Sequence, residues 1–158
     1  MLGAATGATG CDDKPAPSQA VVAPAASASS APLPFGPNAT YVIEPSTSKV
    51  AWTGAKITAS HEGSFSQFKG TITVPTGKPE EAQNHLEIDT PSLTTQPDKL
   101  MGHLKSQDFF DVEKFPKATF DSTAIEKGGV GGATQTVTGN LSLHGVTRSV
   151  AFPAVVTR

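Results

Sequence analysis

The chain has 158 residues and a formal net charge of -2, and only 16% of its residues are charged, so it lacks the basic surplus that neutralises nucleic-acid phosphates. Its 13 prolines and 15 glycines argue against a helical bundle, and no apolar run approaches the roughly 20 residues of a membrane-spanning helix. The single cysteine excludes an intrachain disulfide and a thiolate metal cage.

Residues 1–11 resemble the end of a bacterial lipoprotein signal, in which a small residue precedes a cysteine that is lipidated. Thr9-Gly10-Cys11 fits this pattern, but Ala8 replaces the usual leucine. The basic segment is missing and the apolar segment is short, which indicates either a misassigned start codon or a chance resemblance. We expect a lipid anchor on Cys11, in a periplasmic or cell-envelope protein, or otherwise an incidental cysteine in a disordered N-terminus.

Residues 12–39 are rich in alanine, proline and serine, and their three charges all lie at the start of the segment. Such a composition leaves almost nothing to bury, so we expect a disordered, semi-extended linker. Residues 40–158 hold most of the charged and aromatic residues. This second part is long enough for one compact domain.

Alternation of apolar and polar residues dominates the chain after residue 40. It predicts strands near residues 40–45, 48–56, 57–63, 66–74, 84–94, 117–126, 134–143 and 146–156. Burial on one face only is typical of antiparallel strands. The fold class is therefore all-β, with about eight antiparallel strands. Eight strands that close into a barrel leave room for side chains or for one small ligand.

One segment breaks the β pattern. The sequence at 95–98 predicts a helix start, with Thr95 as its N-cap, and the helix should end near Gln107. One face of this helix would carry Leu100, His103 and Leu104. An aromatic segment, 109–116, follows directly.

His144-Gly145 separates the last two alternating runs and predicts a two-residue hairpin turn with positive φ. Such a turn places Arg148 opposite Leu141, on the apolar face of the hairpin. Because an unpaired buried guanidinium is costly, Arg148 must reach water, a carboxylate or an anionic head group. Snorkelling at the barrel rim and a register slip at a bulge are the alternatives.

Four groups of residues follow one another in a recognisable order and spacing over about residues 40–156. They are Tyr41–Glu44 with Ser48–Trp52, Gly63–Phe65 with Phe68–Ile72, His103–Pro116 with Ala118–Phe120, and Gly139–Thr147. Together they resemble the YceI-like family of lipid- and polyisoprenoid-binding proteins, and the third group is the most specific. The chain departs from the family pattern in lacking the Arg-Asp pair often found before His103-Leu104, and in its Pro/Glu-rich loop at 75–84.

The resemblance implies an eight-stranded, lipocalin-like antiparallel barrel with a hydrophobic lumen, in a periplasmic or secreted bacterial protein. It implies a bound long-chain amphiphile, such as an isoprenoid quinone, a polyprenyl compound or a fatty-acid derivative, and no other cofactor. We expect non-catalytic binding, storage or transport of this lipid. The alternatives are a ligand-free stress-response or interaction module and, less favoured because no nucleophile or nucleotide motif is present, an enzyme that acts on a lipid. A homodimer is also possible.

An amphiphile needs an apolar slot for its tail and a polar group near the mouth. Residues of inward parity on the strands are candidates for the slot: Val50, Trp52, Phe68, Ile72, Leu86, Ile88, Val137, Leu141 and Phe152. Turns, the helix and the aromatic segment add Phe65, Leu100, Leu104, Phe109, Phe110, Phe115 and Phe120. His61, His103 and Arg148 are the polar candidates. For each apolar residue, packing in an ordinary core is the alternative. No HxH or HExxH spacing indicates a metal site.

Overall fold

The computed structural model describes residues 21–24, 39–56, 59–75 and 78–157. The predicted signal-like segment with Cys11, and most of the predicted linker, lie outside these residues. No helix in the described ranges combines the length and the apolar character needed to cross a membrane.

The described residues form ten strands, one α-helix and three single-turn 3-10 helices. In chain order the main elements are β1 (Val21–Pro24), β2 (Ala39–Ile43), β3 (Val50–Lys56), β4 (Ala59–Phe65), β5 (Phe68–Val74), β6 (Gln83–Asp89), β7 (Leu93–Thr95), α1 (Asp98–Lys105), β8 (Lys117–Lys127), β9 (Gln135–Leu143) and β10 (Val146–Ala154). The 3-10 helices are Pro79–Glu81, Thr90–Ser92 and Val130–Gly132.

The strands form two antiparallel sheets. Seven strands follow the order β1-β10-β9-β8-β6-β5-β2, and three follow the order β3-β4-β7. The prediction of a mainly antiparallel β fold with one helix is confirmed. The expectation of a closed ring of strands is not met, because no strand ladder among the described residues joins the two sheets edge to edge. β1 adds a further strand within the segment expected to be a disordered linker, where it pairs with β10.

A corner connects the two sheets, because two chain segments bend there from one sheet into the other. The predicted strand at 84–94 is divided by Thr90–Ser92, where Pro91 has no N–H to continue a ladder. Ser66 N donates to Ser92 O over 3.2 Å, and Asp89 N donates to Gln67 O over 3.0 Å. Backbone hydrogen bonds therefore hold the bend between β4 and β5 against the bend between β6 and β7.

The side chains at this corner are the most deeply buried of the described residues. Leu93 is 0% exposed and Thr90 is 1% exposed. The hydroxyl of Thr90 donates to Phe115 O over 2.6 Å, and the backbone N–H of Thr90 donates to Pro116 O over 3.0 Å. Ser92 Oγ accepts from Gln67 N over 3.0 Å. A buried hydroxyl needs such a partner, so Thr90 also fastens the segment that leads into β8.

The seven-stranded sheet carries a separate core on its apolar face. This cluster consists of Phe120, Ile125, Val137 and Val150, with Leu86, Leu141 and Phe152 packed against it. The rings of Phe120 and Phe152 lie 5.4 Å apart. Gly139 makes room for this packing, since a Cβ there would overlap both the Phe120 ring and the Asp121 carbonyl.

The hairpin between β9 and β10 has the predicted turn and register. His144 and Gly145 have φ values of 52° and 73°, and Arg148 pairs with Leu141. Arg148 is exposed and donates to Thr147 O over 3.4 Å. Because only Val146 and Thr147 separate it from the turn, its guanidinium reaches water instead of being buried.

The helix is shorter than predicted at both ends. It spans Asp98–Lys105, and its N-cap is Pro97, with no side-chain capping bond. The prediction that Thr95 caps the helix is wrong. Thr95 is buried in β7 instead, where its hydroxyl donates to Glu62 O over 2.7 Å.

Charged side chains form a network on the polar face of the seven-stranded sheet. Lys117 Nζ lies 2.9 Å from Glu87 Oε1 and also contacts Asp89, while Lys69 Nζ lies 3.4 Å from Glu87. The hydrogen bond from Lys117 is the main cause that lowers the pKa of Glu87 below its ordinary value of 4.5, and Lys69 adds to this effect. Exposed pairs of this kind contribute little to stability.

Alanine at Gly139 should destabilise the fold by about 1–3 kcal/mol, because the added Cβ meets a packed ring and a backbone carbonyl. The control is Gly102→Ala on α1, where a Cβ meets nothing within 4 Å. That change should stabilise the fold by about 1 kcal/mol or less through helix propensity. Urea denaturation measures both, and an equal effect of the two variants would contradict the packing described around Gly139.

The Lys117→Met change should raise the pKa of Glu87 towards its ordinary value, and Lys69→Met should raise it less. Because the folded pKa is lowered, the stabilising contribution of the pair is complete above pH 4.5 and is lost as the pH falls through the lowered value. NMR titration of the carboxyl carbon measures the shift. An unchanged Glu87 pKa in Lys117→Met would show that the hydrogen bond has no such effect.

Candidate ligand-binding site

One face of the three-stranded sheet is covered by α1 and by the chain that follows it, here called the aromatic loop (residues 106–116). The loop turns back onto the helix end, where Phe110 N donates to Leu104 O over 3.0 Å and Val112 N donates to Lys105 O over 3.2 Å. These bonds occupy carbonyls that a helix end leaves without partners. The loop therefore has a defined position over the sheet.

Aromatic rings connect the loop to the sheet. Phe110 packs edge-on against Phe65 of β4, with ring centroids 6.2 Å apart, and against Phe109, with centroids 5.1 Å apart. His103 lies 6.4 Å from Phe109 and is exposed at the rim. Edge-to-face contacts of this kind favour one ring arrangement over others.

Between the sheet, the helix and the loop lies an apolar cavity of about 300 Å³. It is lined by Trp52, Gly54, His61, Leu100, Leu104, Phe109 and Phe110. All of these except Gly54 were among the candidate residues predicted from the sequence. A volume of roughly 300 Å³ is at the lower end of the range for ligand cavities.

A second, more polar cavity of about 650 Å³ lies on the other side of Trp52. Its walls are Lys49, Ala51, Trp52, Thr53, Glu62, Gly63, Ser64, Thr94, Thr95, Gln96 and Met101. Of these, only Trp52 was predicted from the sequence. The two cavities share Trp52, so this side chain separates an apolar space from a polar one.

The indole ring of Trp52 lies over two glycines, which leave room for it. A Cβ on Gly63 would overlap Cζ2 and Cε2 of the ring, and a Cβ on Gly54 would lie 3.4 Å from Cζ3. Gly63 is the cross-strand partner of Trp52. The pairing of a large aromatic residue with a glycine is a recognised way to cover a bare strand, and it could be inferred from the sequence only if the register were known.

The other predicted residues lie elsewhere in the fold. Eight of them belong to the seven-stranded sheet and line neither the apolar cavity nor the polar cavity: Phe68, Ile72, Leu86, Ile88, Phe120, Val137, Leu141 and Phe152. Val50 lies opposite Phe65 in the β3–β4 ladder. Phe115 packs at a tilt against His144 of the hairpin turn, with ring centroids 4.6 Å apart, and Arg148 is exposed. Among the described residues no three potential metal ligands lie together.

Comparison with known proteins identifies curated relatives as well as similar solved structures. A UPF0312 protein of Pseudomonas putida strain W619 is 41% identical over 92 residues, which are 58% of this chain and 47% of the relative. A UPF0312 protein of Yersinia enterocolitica is 39% identical over 95 residues, or 60% of this chain and 48% of the relative. The chain thus spans about half the length of the curated relatives that it matches.

Solved structures show the same fold. The crystal structure of Burkholderia cenocepacia BcnA superposes with a TM-score of 0.65 at 27% identity, covering 73% of this chain and 72% of that one. The Campylobacter jejuni YceI protein superposes with a TM-score of 0.52 at 23% identity, covering 70% and 64% of the two chains, and supports the fold alone. The YceI-like domain profile matches residues 41–158, which is most of the sequence, and the chain therefore belongs to the YceI-like family.

Proposed function

We propose that this protein binds a long-chain amphiphile without chemically changing it, and stores or carries it. The observation that carries the proposal is the apolar cavity beside Trp52, directly next to a polar cavity that shares the same side chain. An amphiphile needs these two environments at a short distance from each other. The YceI-like family binds hydrophobic ligands and consists of non-enzymatic binding proteins, which supports the same conclusion.

The cavity volume limits how much of the ligand is enclosed. About 300 Å³ equals the share of roughly ten water molecules in the liquid. The apolar cavity therefore encloses only part of a long-chain tail.

Burial of even a short tail segment is strongly favourable. One five-carbon isoprene unit contributes about 4 kcal/mol gross, at about 0.8 kcal/mol per methylene. Ordering of the chain and of the side chains around it cancels part of this gain. Release into water should still be slow, so ligand should remain bound through purification.

The Phe110→Ala change should lower the amount of amphiphile retained by the purified protein several-fold, because Phe110 lines the cavity and packs against Phe65 and Phe109. Organic extraction followed by mass spectrometry measures the ligand per mole of protein. The control is Ile125→Ala in the core of the seven-stranded sheet, which costs stability by a similar large-to-small change but lies outside the cavity.

Two results would contradict the proposal. A wild-type protein that yields no amphiphile in repeated extractions would favour a ligand-free interaction module. Alternatively, both variants could lose ligand in proportion to their loss of stability, which would assign Phe110 to ordinary packing.

We further propose that Cys11 carries a lipid anchor that holds the domain at the cell envelope, with the chain between Cys11 and β1 as its tether. In cells that express the gene with its upstream sequence, the wild-type protein should partition into the detergent phase, since several acyl chains anchor a protein stably. Cys11→Ser should move it to the aqueous phase. Equal partitioning of the two proteins would exclude the anchor.

A further inference from the structure

The indole N–H of Trp52 is buried and has no hydrogen-bond partner among the described residues. We propose that this group donates a hydrogen bond to an acceptor oxygen on the amphiphile, such as a carbonyl or an ester oxygen. This inference rests on the proposed function and adds the chemical class of the ligand's head group.

The ring edge that carries the buried N–H lies beside the polar cavity. Nε1 is bonded to Cε2, and Cε2 belongs to the ring edge that lies over Gly63. Gly63 lines the polar cavity, whereas Gly54, next to the opposite ring edge, lines the apolar one. The indole therefore presents its N–H on the side where the head of an amphiphile would lie while its tail fills the apolar side.

Neighbouring acceptors do not satisfy this donor. Thr94 O lies on the same side of Gly63, yet it forms no hydrogen bond with Nε1. The Thr95 hydroxyl is directed to Glu62 O, and the Thr94 hydroxyl lies within hydrogen-bonding distance of Ser64. Buried tryptophan N–H groups usually find a partner, and one left without a partner destabilises the protein.

The chemistry of the indole determines which ligands fit. Its N–H is a donor only and cannot accept a hydrogen bond. A pure hydrocarbon leaves it without a partner, and an ammonium head group offers only further donors. A carbonyl oxygen satisfies it.

A direct test uses the fact that Trp52 is the single tryptophan of the chain. The indole N–H therefore gives one NMR cross-peak, which can be followed in the full-length protein after its retained lipid has been exchanged away. Undecyl methyl ketone should move this peak downfield as a hydrogen bond forms. Tridecane, which has the same chain length and no acceptor, should not.

Affinities of the same two probes give a second measurement. Trp52→Phe keeps an aromatic wall and removes the N–H, so affinity for the ketone should fall about threefold to tenfold, the worth of one net hydrogen bond. Affinity for tridecane should fall by less, because only the smaller ring then affects it. The matched control is Phe110→Leu, which alters the apolar wall and should weaken binding of both probes by the same factor.

The possible outcomes separate this inference from the proposed function. If Trp52→Phe weakens both probes equally, or if the indole peak responds alike to both, the hydrogen bond is excluded while ligand binding stands. If the wild-type protein binds neither probe and retains no amphiphile, both proposals fail. A shift of the indole peak with the ketone alone, together with a larger loss of ketone affinity than of tridecane affinity in Trp52→Phe, establishes the head-group contact.

Discussion

The two hydroxyl side chains at the corner, Thr90 and Ser92, connect the two sheets with each other and with the end of the aromatic loop. Ser92 bonds to Gln67 on the neighbouring bend, and Thr90 bonds to the carbonyls of Phe115 and Pro116. Through these contacts the corner sets the position of the three-stranded sheet and of the end of the aromatic loop. Because the hydroxyl of Thr90 is buried, losing its partner would cost more than the bond itself contributes.

The residues of the main core and the residues that line the cavity lie in different parts of the molecule. Its main core lies on the seven-stranded sheet around Phe120 and Val137, whereas the cavity lies between the three-stranded sheet, α1 and the aromatic loop. The core of the seven-stranded sheet can therefore pack without a ligand in the cavity. This separation lets a protein of modest size keep a cavity, since space left unfilled in a single small core would directly reduce stability.

Alternation of residue types was sufficient to predict the antiparallel strands, and the pair His144-Gly145 was sufficient to predict the hairpin, because both depend on local backbone geometry. Six cavity residues were among the candidates, since helix periodicity and the family resemblance bring α1 and the aromatic loop together. The contact of Trp52 with Gly63 depends on cross-strand register, which lies beyond local pattern. The corner could have been suspected from Pro91, because proline interrupts a central strand.

The strand β1 shows a similar limit. Val21 and Val22 are the only β-branched residues between residues 12 and 39, and they lie in the one short stretch that pairs with β10. Average composition over that segment hid a local preference for extended structure. Four residues were enough to add a strand because the edge of β10 already offered a row of backbone partners.

The contact between the hairpin turn and Phe115 has a mechanical consequence. Gly145 lies so close to the Phe115 ring that any larger residue would overlap it, and the carbonyl of Phe115 is held by Thr90. The far end of the aromatic loop is thus clamped between the turn and the corner. Phe109, at the near end, is 52% exposed. The loop is therefore anchored at Phe115 and presents an exposed ring, Phe109, in the wall of the apolar cavity.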